Sequence, residues 1–176
     1  MKLFLSFLTN VLALLLLVVC HFFFSYALPF PLSNFNIIFT VLILFMLFSQ
    51  KGSVVWMAFF THLCIELYSV SPFGIVLFSS TLSILFMFWL SQYFFTNRSW
   101  YSSIILTFLS LTLYRIFSFF IVYSVTFFNT KVSIPWYEFF ILSGWEFLFT
   151  QIGVLIGFFI IQKFQKNNGK KQFKYL

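Results

Sequence analysis

Acidic residues are almost missing from this 176-residue chain: Asp and Glu together number 3, against 10 Lys and Arg, and charged residues make up only 7%. A water-soluble domain carries roughly a quarter charged residues, so this chain has too little polar surface to cover a globule in water. Cysteine is scarce too. Cys20 and Cys64 are too few and too far apart for a disulfide framework or a metal motif, and both read as small packing residues. The sequence contains no HExxH, no GxSxG, no Walker A pattern and no acidic metal-binding motif of a phospholipid transferase. Those gaps remove the usual signatures of a membrane protease, a serine hydrolase and a nucleotide-driven motor. The chain reads as a non-enzyme that calls for no cofactor.

What is present is apolar length. Hydrophobic residues make up 62% of the chain, and Phe alone accounts for 32 positions. The Phe bias accompanies many Ile, Asn and Lys, all with A/T-rich codons, and reads as genome composition. An α-helix needs about 20 apolar residues to cross a bilayer. Reading between breaks predicts six spans: 3–25, 33–49, 53–69, 72–96, 99–128 and 136–162. The predicted fold is all-α: a polytopic membrane protein, a six-transmembrane-helix bundle over residues 1–162 with a basic tail over 163–176.

The breaks have their own chemistry. Pro29 and Pro31 stop the first helix, and Ser33 is positioned to cap the second. Gln50-Lys51-Gly52 reads as a tight turn. Ser71-Pro72 reads as an N-cap followed by proline at the first helical position. Asn97-Arg98-Ser99 and the stretch 129–135 separate the later spans. The apolar run 3–24 exceeds the 7–15 residues of a signal-peptide core, so it reads as a retained helix.

Charge sets the orientation. Lys2, Lys51, Arg98 and the five tail lysines 163, 166, 170, 171 and 174 fall on one side of a six-span chain, with only Lys131 on the other. The positive-inside rule makes that side cytoplasmic, with both termini inside. Tyr26, Tyr68, Tyr123, Trp136 and Tyr137 then mark the outer interface, and Tyr93, Trp100 and Tyr101 the inner one. The net charge of +7 thus belongs to membrane flanks, where it meets anionic lipid head groups, and not to nucleic-acid binding. A multi-pass protein of the inner (cytoplasmic) membrane is expected.

Ionisable residues inside spans are costly, at least about 2.5–3.5 kcal/mol each at mid-membrane on insertion scales. Glu66, Arg115 and Glu146 are such residues, and the spacing predicts that spans three, five and six bring them together, with Arg115 pairing Glu66, Glu146 or both. His62 lies four residues before Glu66, one helical turn away on the same face. Together Glu66, Arg115, Glu146 and His62 form an expected intramembrane polar cluster, weighed as a structural ion-pair network first and a ligand or proton site second. His21 and Glu138 read as interfacial. Glu146, Thr150, Gly153 and Gly157 share a narrow arc of span six, with Gly153 and Gly157 as a GxxxG for close helix approach. Ser79, Ser80, Ser83 and Ser91 offer small packing positions in span four.

The stretch ELYSVSPFGIVLFSSTLSILF, within about 59–85, resembles the family of the bacterial rod-shape-determining protein MreD. The resemblance lies in an acid near the end of a span (Glu66), a small polar turn (Ser69-Val70-Ser71-Pro72) and a glycine opening the next helix (Gly74). It implies a non-enzymatic inner-membrane scaffold of the cell-elongation machinery. The implied partners are an MreC-like bitopic protein, MreB-like filaments and the synthases of lateral peptidoglycan. A second reading, from similar length and span number, is the substrate-binding subunit of an energy-coupling-factor vitamin transporter. Such subunits often carry AxxxA in span one, where this chain has only Ala13. The vitamin-binding reading requires an outward-opening cavity lined by Glu66, Arg115 or Glu146; a tightly packed cluster would count against it.

Overall fold

The segment Ile37–Ser49 is apolar on every side, a pattern that suits a helix surrounded by protein. In the computed structural model, which describes residues 2–69, 72–95, 99–128 and 136–172, this segment is α2, the centre of the structure. Around it lie α1 (Lys2–Ala27), α3 (Ser53–Glu66), α4 (Ile75–Tyr93), α5 (Trp100–Phe128) and α6 (Trp136–Gln172), with a single 3-10 turn at Leu32–Asn34 leading into α2. Among the described residues no strand occurs. Helix α2 touches all five others. Ile38, Phe39, Leu42, Ile43, Met46 and Leu47 on it are buried, burying both faces and anchoring the core.

Among the described residues four helical segments are long and apolar enough to cross a membrane: 8–27, 75–93, 100–126 and 139–166. Their surfaces match that role. Leu12, Leu16, Phe23, Phe78, Phe120 and Ile156 are among many large apolar side chains left exposed, an arrangement suited to acyl chains and not to water. The two remaining helices are shorter. Helix α2 has 13 residues and α3 has 14, about 20 Å each at 1.5 Å per residue. The predicted spans 33–49 and 53–69 therefore both overrun their helices. Helix α2 tolerates its shortness because protein, not lipid, surrounds it.

Local capping explains the revised boundaries. The second helix starts at Ile37, not at Ser33, because the Asn36 side chain accepts a hydrogen bond from Phe39 N at 3.1 Å. An Asn carbonyl in that place satisfies one of the free N–H groups of a first turn. Ser33 sits instead in the 3-10 turn. The fourth helix starts at Ile75, and its N-cap is Gly74 at φ +102°, a backbone conformation that glycine adopts without a Cβ clash. The expectation that Ser71-Pro72 begins it is thereby corrected for Pro72; Ser71 lies outside the described residues, as do Asn97, Arg98 and Lys131. Helix α6 continues through Gln172, so much of the expected tail is helical.

Small residues set the closest helix contacts. A Cβ on Gly153 would come within 2.8 Å of Phe35 Cζ, and one on Gly157 would collide with Leu44 Cδ1. The GxxxG of α6 thus presses against the entry to α2 and the body of α2. Across the bundle, Ser79, Ser80, Ser83 and Ser91 are buried, and α4 and α5 form the most extensive pairing. Ser83 Oγ donates to the Ser110 carbonyl at 2.6 Å, while Ser79 and Ser80 return their hydroxyl protons to their own helix. Replacing Gly153 by valine is expected to cost about 1–3 kcal/mol through overpacking. Gly144→Ala, where an added Cβ meets nothing within 4 Å, should leave the thermal unfolding midpoint unchanged or slightly raised. Equal midpoints for the two variants in detergent would refute the close approach.

Candidate site: a paired-charge cluster beside a polar cavity

Glu146 lies on the α6 face that meets α2, one turn before Thr150. Its Oε1 accepts from Asn36 Nδ2 at 2.7 Å. Its Oε2 is ion-paired with Arg115 Nη2 from α5. Thr150 Oγ1 accepts from Asn36 N at 3.2 Å. Asn36 therefore ties three things together: its side-chain oxygen caps α2, its amide NH₂ holds Glu146, and its backbone N–H holds Thr150. The carboxylate sits beside the start of α2, where the helix dipole places partial positive charge. Arg115 adds stacking contacts, with its guanidinium carbon 5.2 Å from the Phe139 ring centroid and 5.4 Å from that of Tyr114. A charge placed among apolar helices persists when it is paired and hydrogen-bonded, and Glu146 meets both conditions.

Glu66 behaves differently from the expectation. Both of its oxygens accept backbone N–H groups at the start of α4: Oε1 from Gly74 at 2.9 Å and Oε2 from Leu77 at 2.7 Å. Arg115 is paired with Glu146, one of the partners the sequence leaves open, and Glu66 takes main-chain N–H groups in place of a cation. The physical reason is local. A carboxylate at a helix N-terminus gains two charge-assisted hydrogen bonds and a favourable dipole, and Gly74 turns the chain so that the N–H groups reach it. Glu66 is buried at 3% exposure, as is His62. Glu66 thus fastens the end of α3 to the start of α4.

His62 donates from Nδ1 to the Ala58 carbonyl at 2.8 Å, which leaves Nε2 of the neutral ring as an acceptor. His62, Arg115 and Glu146 border one cavity of about 240 Å³, together with His21, Asn36 and Tyr114. His21 lines this cavity too, because α1 packs against α3. Two buried nitrogens here, Arg115 Nε and His21 Nδ1, make no hydrogen bond. Asn36 and Tyr114 were not singled out in the sequence. The Asn three residues ahead of Phe39 was the available signal for Asn36. The side chain of Glu138 lies outside the described residues. Among the described residues no group of three His, Cys, Asp or Glu is arranged for a metal, and Cys20 and Cys64 are free thiols.

No protein-family model matches this chain, and neither does any curated protein or solved structure. What the geometry of the site provides is a neutralised ion pair joining α5 to α6, a carboxylate fastening α3 to α4, and a polar-walled space between them.

Arg115→Met is expected to destabilise the folded chain by about 3–5 kcal/mol, since it strands Glu146. The double substitution Arg115→Met with Glu146→Met should recover part of that loss in thermal or SDS unfolding. No recovery would show that the two side chains do not act as a pair. Glu66→Leu leaves the Gly74 and Leu77 N–H groups without an acceptor and should cost about 1.5–3 kcal/mol. Glu66→Gln keeps one carbonyl acceptor and should fall between. A Leu variant as stable as wild type would remove the capping role.

Proposed function

We propose that this chain is a non-enzymatic scaffold of the bacterial inner membrane, working in the cell-elongation machinery in the manner of the MreD family. The observation that carries the reading is the Glu66–Gly74 staple. The residues on which the resemblance rests are an acid, a polar turn and a helix-opening glycine, and here the acid and the glycine are hydrogen-bonded to each other. That geometry gives the motif a structural purpose: it sets how α3 leads into α4. The buried charges serve packing in the same way. A scaffold needs a rigid bundle that presents lipid-facing helix sides to partners, and an internally paired ion cluster supplies rigidity without exposing charge to lipid.

In this reading α2 and α3 complete a six-span bundle with both termini in the cytoplasm. The lysines Lys51, Lys163 and Lys166 face the cytoplasm by the positive-inside rule. Tyr26, Tyr68, Tyr123 and Tyr137 on one side, and Tyr93, Trp100 and Tyr101 on the other, are exposed near helix ends, as interfacial belts require. At 37 residues, α6 is about 55 Å long and exceeds a hydrocarbon core of about 30 Å. Its basic end then projects into the cytoplasm, towards MreB-like filaments. An MreC-like bitopic protein and the peptidoglycan synthases would meet the lipid-facing sides.

The transporter-subunit reading has one observation in its favour: the cavity bordered by Arg115 and Glu146. Its volume lies below the roughly 300–1,000 Å³ of most small-molecule sites. Crosslinking in the native host followed by mass spectrometry separates the two readings. Recovery of MreC-like and actin-like proteins, with rod-to-sphere rounding on depletion, is the expected outcome. Recovery of an ATPase and a transmembrane coupling subunit, with cell shape unchanged, would replace the scaffold by the transporter subunit.

A further inference from the structure

We propose that a groove along α2 and α6 holds an acyl chain of one anionic phospholipid, drawn from the leaflet at the lysine-bearing end of the bundle. The inference needs a membrane, but neither the scaffold reading nor the sidedness of the chain.

The groove follows from how the outer helices surround α2. Contacts run from α1 to α3 and on through α4 and α5 to α6, and among the described residues α6 does not reach back to α1. The cover of α2 therefore thins along one flank. Val41, Phe45 and Phe48 are half-buried there, at spacings of four and three residues that keep them on one face. Together with Leu44, Ser49 and Ile161 of α6 they line the groove. Five of these six side chains are purely hydrocarbon, so the surface suits an apolar occupant.

Two features identify that occupant. The first is length. At the end where α2 begins, the 3-10 turn Leu32–Asn34 touches both α1 and α6. Phe35 presses on Gly153 there, and Phe30 packs on Trp145 with ring centroids 6.3 Å apart. The flank is thus shut at that end and open at the other. From Val41 to Ser49 the groove runs about 12 Å at 1.5 Å per residue, less than half of a hydrocarbon core of about 30 Å. A partner's membrane-spanning helix needs the whole thickness and would strike the turn. An acyl chain of a single leaflet enters from the open end and stops short of it.

The second feature is charge. Lys51 lies two residues beyond Ser49, and Lys163 two residues beyond Ile161, so both flank the open end; both are exposed, as is Lys166. The two acids with described side chains sit at the other end of the bundle. Glu66 closes the far end of α3 against α4, and Glu146 lies beside the start of α2. Neither is placed to neutralise the lysines. Lysines at a membrane surface attract anionic head groups, and a phosphate at the mouth of the groove lies within reach of two flexible ammonium groups.

The test uses the full chain purified in detergent, with bound lipid counted by native mass spectrometry. The probes are phosphatidylglycerol and phosphatidylcholine with identical acyl chains, and glycerol phosphate as a head group without chains. One phosphatidylglycerol per chain is expected to stay bound, with affinity at least about tenfold above phosphatidylcholine; glycerol phosphate should not be retained. Lys51→Gln combined with Lys163→Gln, both at exposed positions, should bring the two phospholipids to within about threefold of each other. Val41→Trp fills the groove towards its closed end and Ser49→Trp fills its mouth. Whichever of them folds should lose the retained lipid. Equal binding of the two phospholipids by the unsubstituted chain overturns the proposal, as does glycerol phosphate held as tightly as phosphatidylglycerol. So does an unchanged preference in the lysine variant, or lipid retained in a folded groove-filling variant. A lipid-free dimer, or a partner helix recovered in place of lipid, would make this flank a protein interface and sink the idea. The crosslinking that tests the scaffold does not count lipids, so either reading can fail alone.

Discussion

The packing of this molecule depends on one arrangement: a carboxylate at the start of the central helix, held from two sides. Glu146 receives Asn36 from the entry to α2 and Arg115 from α5. Removing charge from water is expensive, and in a chain with so few acids every buried one needs complete satisfaction. Glu146 obtains it by joining three segments far apart in sequence. The α6 face that carries it also carries Thr150, Gly153 and Gly157, all in contact with α2 or the segment leading into it. One stripe therefore supplies the charge, a hydroxyl and two close-approach points. Its register is set by the ion pair.

Glu66 solves the same problem with a different partner. Instead of a cation it uses backbone N–H groups at the start of α4, which every helix start offers. Both buried carboxylates thus lie beside helix N-termini, where peptide dipoles add stabilisation. The consequence is a division of labour. Arg115 is left to a single acid, and the space that Glu66 does not enter becomes the cavity bordered by His21, His62 and Tyr114.

The short central helix follows from the same economy of polar groups. Lipid demands that exposed backbone be internally hydrogen-bonded over the whole hydrocarbon thickness. Helix α2 escapes this demand because five helices cover it, so its capping Asn36 is satisfied by protein. Its neighbours α1, α5 and α6 carry the outward apolar surface and are correspondingly long.

Much was legible before any coordinates. Apolar run lengths marked the long helices, helical spacing grouped Glu146, Thr150, Gly153 and Gly157, and rarity singled out Glu66, Arg115 and Glu146. Those features are local or periodic, and one-dimensional order contains them. The pairing was not legible. A linear sequence states that Arg115 needs an acid but not which of two equally plausible acids lies within reach. It also does not reveal that Glu66 takes main-chain N–H groups, since every helix start offers the same ones. The inward placement of His21 and the cavity itself arise from how separate helices pack. Composition and periodicity determined that this chain is helical, apolar and forced to bury a few charges; only three-dimensional packing decided each charge's partner, because partner choice depends on distances between segments that are remote along the chain.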